Sequence, residues 1–329
     1  MNRTAVAVGG IVAMFLLVQV LALALVAPFD AAGYQAVPEG QTDNPLNSII
    51  YVAGILVATG LMLLAFRYDA DLLVRGVIAL SATYICYYVF SVLFPPVTVV
   101  GVPVLALGVA GALVAAMLIY PEWYVIDAAG VVMGGGAAGL FGISFGVLPA
   151  IVLLTILAVY DAISVYGTEH MLDLADGVMN LRLPVILVMP LSLSYSFIDA
   201  MESSEDEESE DAEQDAEQDA ETADEERNDE RDAFFIGLGD AVMPTILIAS
   251  AAHFSDLPTL VPGLDAPLPA VTAAVGMLAG LLVLMRMVAA GRAHAGLPLL
   301  NGGAIGGYLL GALAAGIPLV EALGVAPYL

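Results

Sequence analysis

Nine apolar runs, each long enough or nearly long enough to cross a lipid bilayer, limit the possible folds of this 329-residue chain more than any other feature. An α-helix needs about 20 mostly apolar residues to cross the hydrocarbon core. Within lipid, only helices and closed barrels satisfy all their backbone hydrogen bonds. The pattern therefore predicts an all-α membrane protein with nine transmembrane helices. They are placed at residues 4–28, 48–66, 73–94, 97–120, 125–145, 147–166, 233–253, 267–287 and 297–321.

The arginines indicate the orientation of these helices. All eight basic residues are arginine, and basic residues beside membrane spans concentrate on the cytoplasmic side. With a cytoplasmic N-terminus, nine spans place every arginine on that side, whereas an error of one helix would scatter them. We therefore predict a multi-pass protein of the cell membrane, embedded in the lipid bilayer, with its C-terminus outside. The arginines are Arg3, Arg67, Arg75, Arg182, Arg227, Arg231, Arg286 and Arg292.

The spacing of the apolar runs divides the chain into four regions. Residues 1–166 hold six predicted helices, and residues 233–329 hold the other three. Between them, residues 167–198 are amphipathic and include a short apolar run at 183–190 with strand-like composition. Residues 199–232 are so rich in Glu and Asp that they cannot bury enough apolar area to fold. We expect a disordered, acidic cytoplasmic loop there.

The net charge of -26 is concentrated in this loop, since residues 201–230 hold 17 of the 34 acidic residues. Excess acid without lysine keeps a protein hydrated in a salt-rich cytoplasm, which suggests a halophilic source. So acidic a chain is not expected to bind nucleic acid. The isolated Cys86, His170, His253 and His294 lack the spacing of a metal site, so we predict no metal and no cofactor.

Two aspartates stand inside predicted spans, Asp161 in the sixth helix and Asp240 in the seventh. An ionisable residue there costs about 2.5–3.5 kcal/mol, and such residues usually carry function. Counting from helix ends near Tyr166 and Ala233 places them roughly 8 Å and 10 Å from the cytoplasmic ends. Carboxylates held close together share one proton, which suits acid–base hydrolysis through an activated water. Position alone is also compatible with aspartates that only hold the bundle together.

The residues around Asp240 suit a site that receives a peptide backbone. Gly237 and Gly239 remove side chains just before it, which permits close approach. A substrate helix would have to unwind locally, because its peptide bonds are protected by helical hydrogen bonding. We expect the run at 183–190 to pair with the unwound substrate as a strand.

Three short motifs fall in the sixth, seventh and ninth helices: Tyr160-Asp161, Gly237-Leu238-Gly239-Asp240 and Leu297-Pro298-Leu299-Leu300. They resemble the YD, GxGD and PAL motifs of the presenilin and signal peptide peptidase family of intramembrane aspartyl proteases. The order of the motifs, the nine-helix plan and the hydrophilic loop also match. The chain is most similar to archaeal presenilin homologues, whose N-terminus is cytoplasmic.

This resemblance implies an aspartic endopeptidase that cleaves transmembrane proteins without a cofactor. Asp161 and Asp240 would be the catalytic pair. Leu299 stands where the family has alanine, which affects the shape of the substrate cleft. The residues implied to bind substrate or shape the site are Tyr160, Gly237, Leu238, Gly239, Leu297, Pro298, Leu299 and Leu300.

Two other functions fit parts of the sequence. Buried aspartates also relay protons in transporters, although the chain shows no convincing internal repeat. The segment 142–146 matches the G-x-S-x-G pattern of serine hydrolases at Ser144, and His253 would lie at the same membrane face.

Two further acidic residues lie near a predicted helix boundary. Glu122 and Asp127 flank the short loop between the fourth and fifth helices, close to Trp123 and Tyr124. Aromatic residues are enriched where a helix meets the membrane surface. We interpret this group as part of an interface belt rather than as a site.

Overall fold

The computed structural model describes residues 3–38, 40–68, 70–99, 102–167, 186–192, 195–199, 233–288 and 295–328. The predicted amphipathic segment and the acidic loop lie largely outside these residues, as do His170 and His294.

The described residues form a mostly helical membrane protein. Seven helices are long and apolar enough to cross a membrane, and two further apolar helices have 16 residues each. All nine overlap the predicted runs. The helices are α1 (Arg3–Ala31), α2 (Leu46–Arg67), α3 (Asp71–Leu93), α4 (Val104–Ile119), α5 (Trp123–Ser144), α6 (Val147–Gly167), α7 (Leu238–His253), α8 (Leu268–Val288), α9 (Leu297–Ala314) and the short α10 (Leu319–Ala322).

Two pairs of short strands depart from the all-helical prediction. Strands β1 (Thr98–Val99) and β2 (Val102–Pro103) replace the first turns of the helix predicted at 97–120. Pro95, Pro96 and Pro103 explain the difference, because proline lacks the N–H that a helix interior needs.

The second pair lies beside the predicted site. Strand β3 (Ile186–Pro190) falls within the run predicted to be strand-like, and it pairs antiparallel with β4 (Ala233–Gly237). The prediction of a helix beginning at residue 233 was therefore wrong, and α7 begins at Leu238. A five-residue apolar segment rich in Phe and Ile forms a strand as readily as a helix, and here a partner strand is present.

The predicted helix 297–321 is also divided. Helix α9 ends at Ala314, and Gly316 follows with a φ of 83°. This left-handed conformation favours glycine and ends helices. Pro318 then starts the short α10.

Helix α5 lies at the centre of the bundle, where it contacts α1, α3 and α7. Its glycines permit close packing: Gly135 faces Leu21 of α1, and Gly136 faces Val89 of α3. Helices α8 and α9 pack even more closely, because Gly276 lies against the backbone of Gly303 and Gly280 against the carbonyl of Leu299. Small residues thus provide the close helix contacts expected in lipid.

Candidate active site

The structure brings Asp161 and Asp240 together. Asp161 lies six residues before the end of α6 and is buried, with 7% of its surface exposed. Asp240 is the third residue of α7 and is partly buried. Both carboxylates lie at the start of α9, beside the adjacent residues Gly296 and Leu297. Two residues separated by 79 positions in the sequence therefore form one acidic pair.

The local structure at Asp240 differs from the predicted one. Asp240 does not lie seven residues inside a helix but in the first turn of α7, directly after β4. Its carboxylate lies beside Gly237, where a Cβ would be 3.6 Å from Oδ2. The predicted depth of Asp240 within a helix was therefore wrong, although its carboxylate does lie near the same helix start as that of Asp161.

The start of α9 contacts both aspartates. The backbone N–H of Leu297 donates a hydrogen bond of 3.0 Å to Oδ2 of Asp161. Gly296 lies beside Asp240, where a Cβ would be 3.7 Å from Oδ2. The Leu297–Leu300 motif therefore contributes a backbone hydrogen-bond donor to the pair. Its apolar side chains gave no indication of this role.

The acidic pair lies at the N-termini of two helices. Asp240 is in the first turn of α7, and Leu297 is the first residue of α9. The N–H groups of a first turn have no partner within their helix and carry a partial positive charge. This arrangement favours negative charge at the pair. Pro298, the second residue of α9, has no N–H to leave unsatisfied.

Further hydrogen bonds attach α9 to α6. Asn301, which is almost fully buried, donates from Nδ2 to the carbonyl oxygen of Leu154 at 2.9 Å. The N–H of Ala295 donates to the hydroxyl oxygen of Tyr166 at 3.4 Å. Together with the Leu297–Asp161 bond, these contacts fix the start of α9 against the helix that carries Asp161. Asn301 was not predicted to belong to the site, although its polar side chain inside an apolar helix was an available signal.

The β3–β4 sheet leads directly into the site, since β4 ends at Gly237 and Asp240 follows three residues later. Asp127 of α5 accepts a hydrogen bond of 2.8 Å from the N–H of Val188 in β3. Glu122 accepts bonds from the Ser196 hydroxyl at 2.8 Å and the Phe197 N–H at 3.2 Å. Interpreting Glu122 and Asp127 as an interface belt was therefore wrong, because both carboxylates bind the segment around β3.

The other predicted site residues lie at different distances from the pair. Leu238 packs onto α5, with its Cδ1 3.2 Å from where a Cβ on Gly134 would be. Gly239 has open space around its Cα. Leu300 is fully buried, whereas 54% of Tyr160 is exposed. Leu299 is partly buried in the main apolar core.

Ser144 and His253 make separate structural contacts. The fully buried Ser144 donates from Oγ to the Leu140 carbonyl at 2.7 Å and accepts from the Ala36 N–H at 2.9 Å. His253 lies near Gln35 and Asp30. Among the described residues, these contacts leave no serine–histidine pair. That part of the chain also contains no group of three metal-ligating side chains.

Two carboxylates that lie against the same helix start inside an apolar bundle are the arrangement expected of a membrane-embedded aspartyl protease. Residues 12–317 match the model of a family described as signal-peptide peptidase, presenilin aspartyl protease. The chain belongs to this family and is an aspartic endopeptidase.

Two solved structures are similar to this chain, both described as a presenilin family intramembrane aspartate protease, in space groups C222 and P2. Each is 32% identical and covers 93% of this chain. The matches include 99% and 97% of those chains, with TM-scores of 0.64 and 0.61. A comparison with individually curated proteins gave no match.

Proposed function

We propose that the chain hydrolyses peptide bonds within or next to the transmembrane segments of other proteins, with Asp161 and Asp240 as the catalytic pair. The observation that carries this proposal is that both carboxylates lie against adjacent residues at the start of α9, Asp161 at the N–H of Leu297 and Asp240 beside Gly296. Family membership favours proteolysis over proton transport. The contacts of Ser144 give no support to a serine protease.

The chemistry needs one ionised and one protonated carboxyl group. The ionised aspartate takes a proton from a water molecule as the water oxygen attacks the scissile carbonyl carbon. The protonated aspartate gives its proton to the carbonyl oxygen, which forms a tetrahedral diol. When the C–N bond breaks, the nitrogen gains a proton from one aspartate and a diol hydroxyl returns one to the other. The pair again shares one proton, and no covalent intermediate forms.

The described contacts assign supporting roles to the residues around the pair. The Leu297 N–H orients the Asp161 carboxylate. Gly237 and Gly296 keep the space beside Asp240 free of side chains, which leaves room for a substrate backbone and a water. Leu238, Gly239, Pro298 and Leu299 would form the nearby cleft walls, with the fully buried Leu300 packed behind them.

The contacts of β3 change the expected position of a substrate strand. One edge of β3 pairs with β4, and at the other edge the Val188 N–H is bound by Asp127. Since Val188 is opposite Phe235, the backbone groups of Phe235 point away from β3 in an antiparallel pair. We therefore propose that an unwound substrate adds to β4 rather than to the segment 183–190.

Two variants of Phe235 test this strand addition. Phe235→Pro removes an N–H that points away from β3, so the β3–β4 hydrogen bonds remain. Phe235→Ala removes only the side chain and is the matched control. Cleavage of a single-span substrate should fall at least about 10-fold further in the proline variant, since a substrate hydrogen bond is lost at the reacting segment. Equal cleavage by both variants would contradict the proposal.

The catalytic pair is tested by cleavage of a single-span substrate in vesicles. Asp161→Asn and Asp240→Asn should each lower kcat by at least about 10²-fold, the range of acid–base catalysis. Ser144→Ala should retain kcat and serves as the control at a buried polar residue. Activity that survives either aspartate change would end the proposal. Loss of activity in Ser144→Ala alone would instead favour a serine protease.

We also propose nine spans, with α4 and α7 as the two short ones, in a cell membrane with the N-terminus cytoplasmic. In a Cys86→Ser background, an impermeant maleimide should label Gln41→Cys only from outside. It should label Tyr68→Cys only from the cytoplasmic side. The reverse pattern would invert the orientation. Both positions are exposed and lie in different loops.

Residues 199–232 are proposed to tether the six-helix and three-helix regions. Deletion of 201–230 should leave cleavage largely intact, and a folded but inactive deletion variant would show that the loop has a further role. The same acidic residues motivate the hypothesis of a salt-rich source. Cleavage that is indifferent to salt concentration would count against it.

A further inference from the structure

Asp127 is a buried carboxylate that the proposed chemistry does not use. It lies in the second turn of α5 with 8% of its surface exposed. Its Oδ1 accepts the 2.8 Å hydrogen bond from Val188, a fully buried residue of β3. A carboxylate is costly to bury unless it is hydrogen-bonded. The Asp127 carboxylate is therefore hydrogen-bonded to the edge of β3 that faces away from β4.

The same face of α5 also contacts the start of α7, the helix that carries Asp240. Gly130 and Gly134 follow Asp127 at spacings of three and seven residues, which places all three on one side of the helix. A Cβ on Gly130 would lie 2.8 Å from Cδ2 of Leu187 and 3.8 Å from Cδ1 of Leu238. This face of α5, defined by Asp127, Gly130 and Gly134, thus contacts β3 and the first residue of α7.

Glu122 provides a second contact of the same kind. It directly precedes α5 and is 7% exposed. Its two carboxylate oxygens accept the bonds from Ser196 and Phe197, which follow the end of β3 by six and seven residues. The chain is therefore bound to the beginning of α5 both within β3 and after it.

We propose that Asp127 is a positioning residue for the hydrolysis, acting through β3 and β4 on Asp240. By binding Val188, it fixes β3 on α5. The register of Val188 opposite Phe235 then fixes β4, and β4 leads through Gly237 into Asp240. Asp127 also occupies the outer edge of β3, which leaves β4 as the edge for an added strand. This inference rests on the proposed function.

The test compares variants that keep or remove the acceptor. Asp127→Asn retains an oxygen that can accept from Val188. Asp127→Ala removes it, and Asp127→Ser, whose hydroxyl ends one bond short, is a milder removal if the alanine variant does not fold. Ser144→Ala is the matched control, because Ser144 is also buried in α5 and also accepts a backbone N–H, that of Ala36, far from β3.

Removal of the acceptor should lower kcat by about 10-fold to 100-fold with little change in KM, since small displacements of a catalytic group cost that much. Asp127→Asn should recover at least about a third of wild-type kcat, as expected if its oxygen still accepts the hydrogen bond. Amide hydrogen exchange at 186–189 and 233–240 should rise in the removal variants and remain unchanged in Ser144→Ala.

The outcomes separate this inference from the proposed function. Without cleavage by the wild type, the proposed function fails, while hydrogen exchange still tests the Asp127–Val188 contact. If the wild type cleaves and the removal variants match it in kcat and in exchange at β3 and β4, Asp127 has no positioning role. An asparagine variant as inactive as the alanine variant would likewise overturn the inference, because the acceptor would not be what matters.

Discussion

The two aspartates reach the same site from structurally different regions. Asp161 lies within an uninterrupted helix, so its backbone is held by the hydrogen bonds of α6 and its carboxylate by the N–H of Leu297. Asp240 lies at the start of α7, immediately after a strand. Its position depends on β3, β4 and their attachment to α5. By this inference, one half of the pair is fixed by a helix and the other by a small sheet.

This difference predicts which distant changes affect each aspartate. Asp161 depends on the packing of α9 against α6 and α8, whereas Asp240 depends on the contact of β3 with α5. Variants on the two sides can therefore be compared in the same cleavage and unfolding measurements.

The largest effect is expected where α8 touches the start of α9. A Cβ on Gly280 would meet the carbonyl oxygen of Leu299, and a backbone cannot yield as a side chain can. Gly280→Ala should displace α9 and weaken the Leu297–Asp161 bond. We expect about 10²-fold lower kcat, as for a small misplacement of a catalytic group. We also expect a loss of about 1–3 kcal/mol in the free energy of unfolding from overpacking.

Gly276→Ala is the matched control for that variant. Gly276 lies one turn away on the same face of α8, and its Cβ would meet the backbone of Gly303. It should destabilise the protein similarly but reduce kcat less, because its contact is farther from Leu297. Equal losses of activity would mean that overall stability, rather than the position of α9, determines cleavage.

A smaller effect is expected on the side of the sheet. Gly130→Ala would bring a Cβ to 2.8 Å from Cδ2 of Leu187, the far end of a flexible side chain. Leu187 must shift, and we expect a small displacement of β3 to follow, so kcat should fall by about 10-fold. The unfolding free energy should change by less than about 1 kcal/mol, because the flexible side chain can yield and alanine is favoured over glycine in a helix. Wild-type kcat in this variant would show that β3 tolerates displacement and that the position of Asp240 does not depend on it.

The sequence predicted the helical half of this comparison better than the sheet half. The run containing Asp161 is long and apolar without interruption, and such a pattern specifies a helix in lipid. Residues 233–237 are apolar too, but five residues do not show a period that distinguishes strand from helix. What selects the strand is pairing with β3, which is 43 or more residues away in the chain.

The supporting contacts of the site were not predictable for a related physical reason. The Asp127–Val188 bond joins residues 61 positions apart, and the Asn301–Leu154 bond joins residues 147 positions apart. Each looks in the sequence like an isolated polar residue near or within a span. The motif resemblance indicated that residues 297–300 belong to the site, but not that a backbone N–H makes the contact. Helix positions follow from local pattern, whereas these contacts follow from the tertiary fold.

Asn301 tests the helical side at a buried hydrogen bond. Asn301→Ala leaves the carbonyl of Leu154 without the 2.9 Å donor and should cost about 1–3 kcal/mol of unfolding free energy. Because the Leu297–Asp161 bond remains, kcat should fall only about threefold, as for a modest shift in geometry. Chemical unfolding and cleavage kinetics on one preparation would check both values. A loss in kcat as large as that of Gly280→Ala would make Asn301 the main attachment of α9.

Gly239 gives the smallest expected structural effect and separates folding from substrate approach. It has open space around it in the first turn of α7, so Gly239→Ala should leave the fold intact. Alanine in a helix is favoured over glycine, and the unfolding free energy should rise by about 0.5–1 kcal/mol. A methyl group beside Asp240 would nevertheless meet an incoming peptide backbone, so KM should rise with little change in kcat. The site thus needs an ordered strand before Asp240 and open space beside it for the substrate. A Gly239→Ala variant with wild-type KM would indicate that the substrate approaches from another side of the pair.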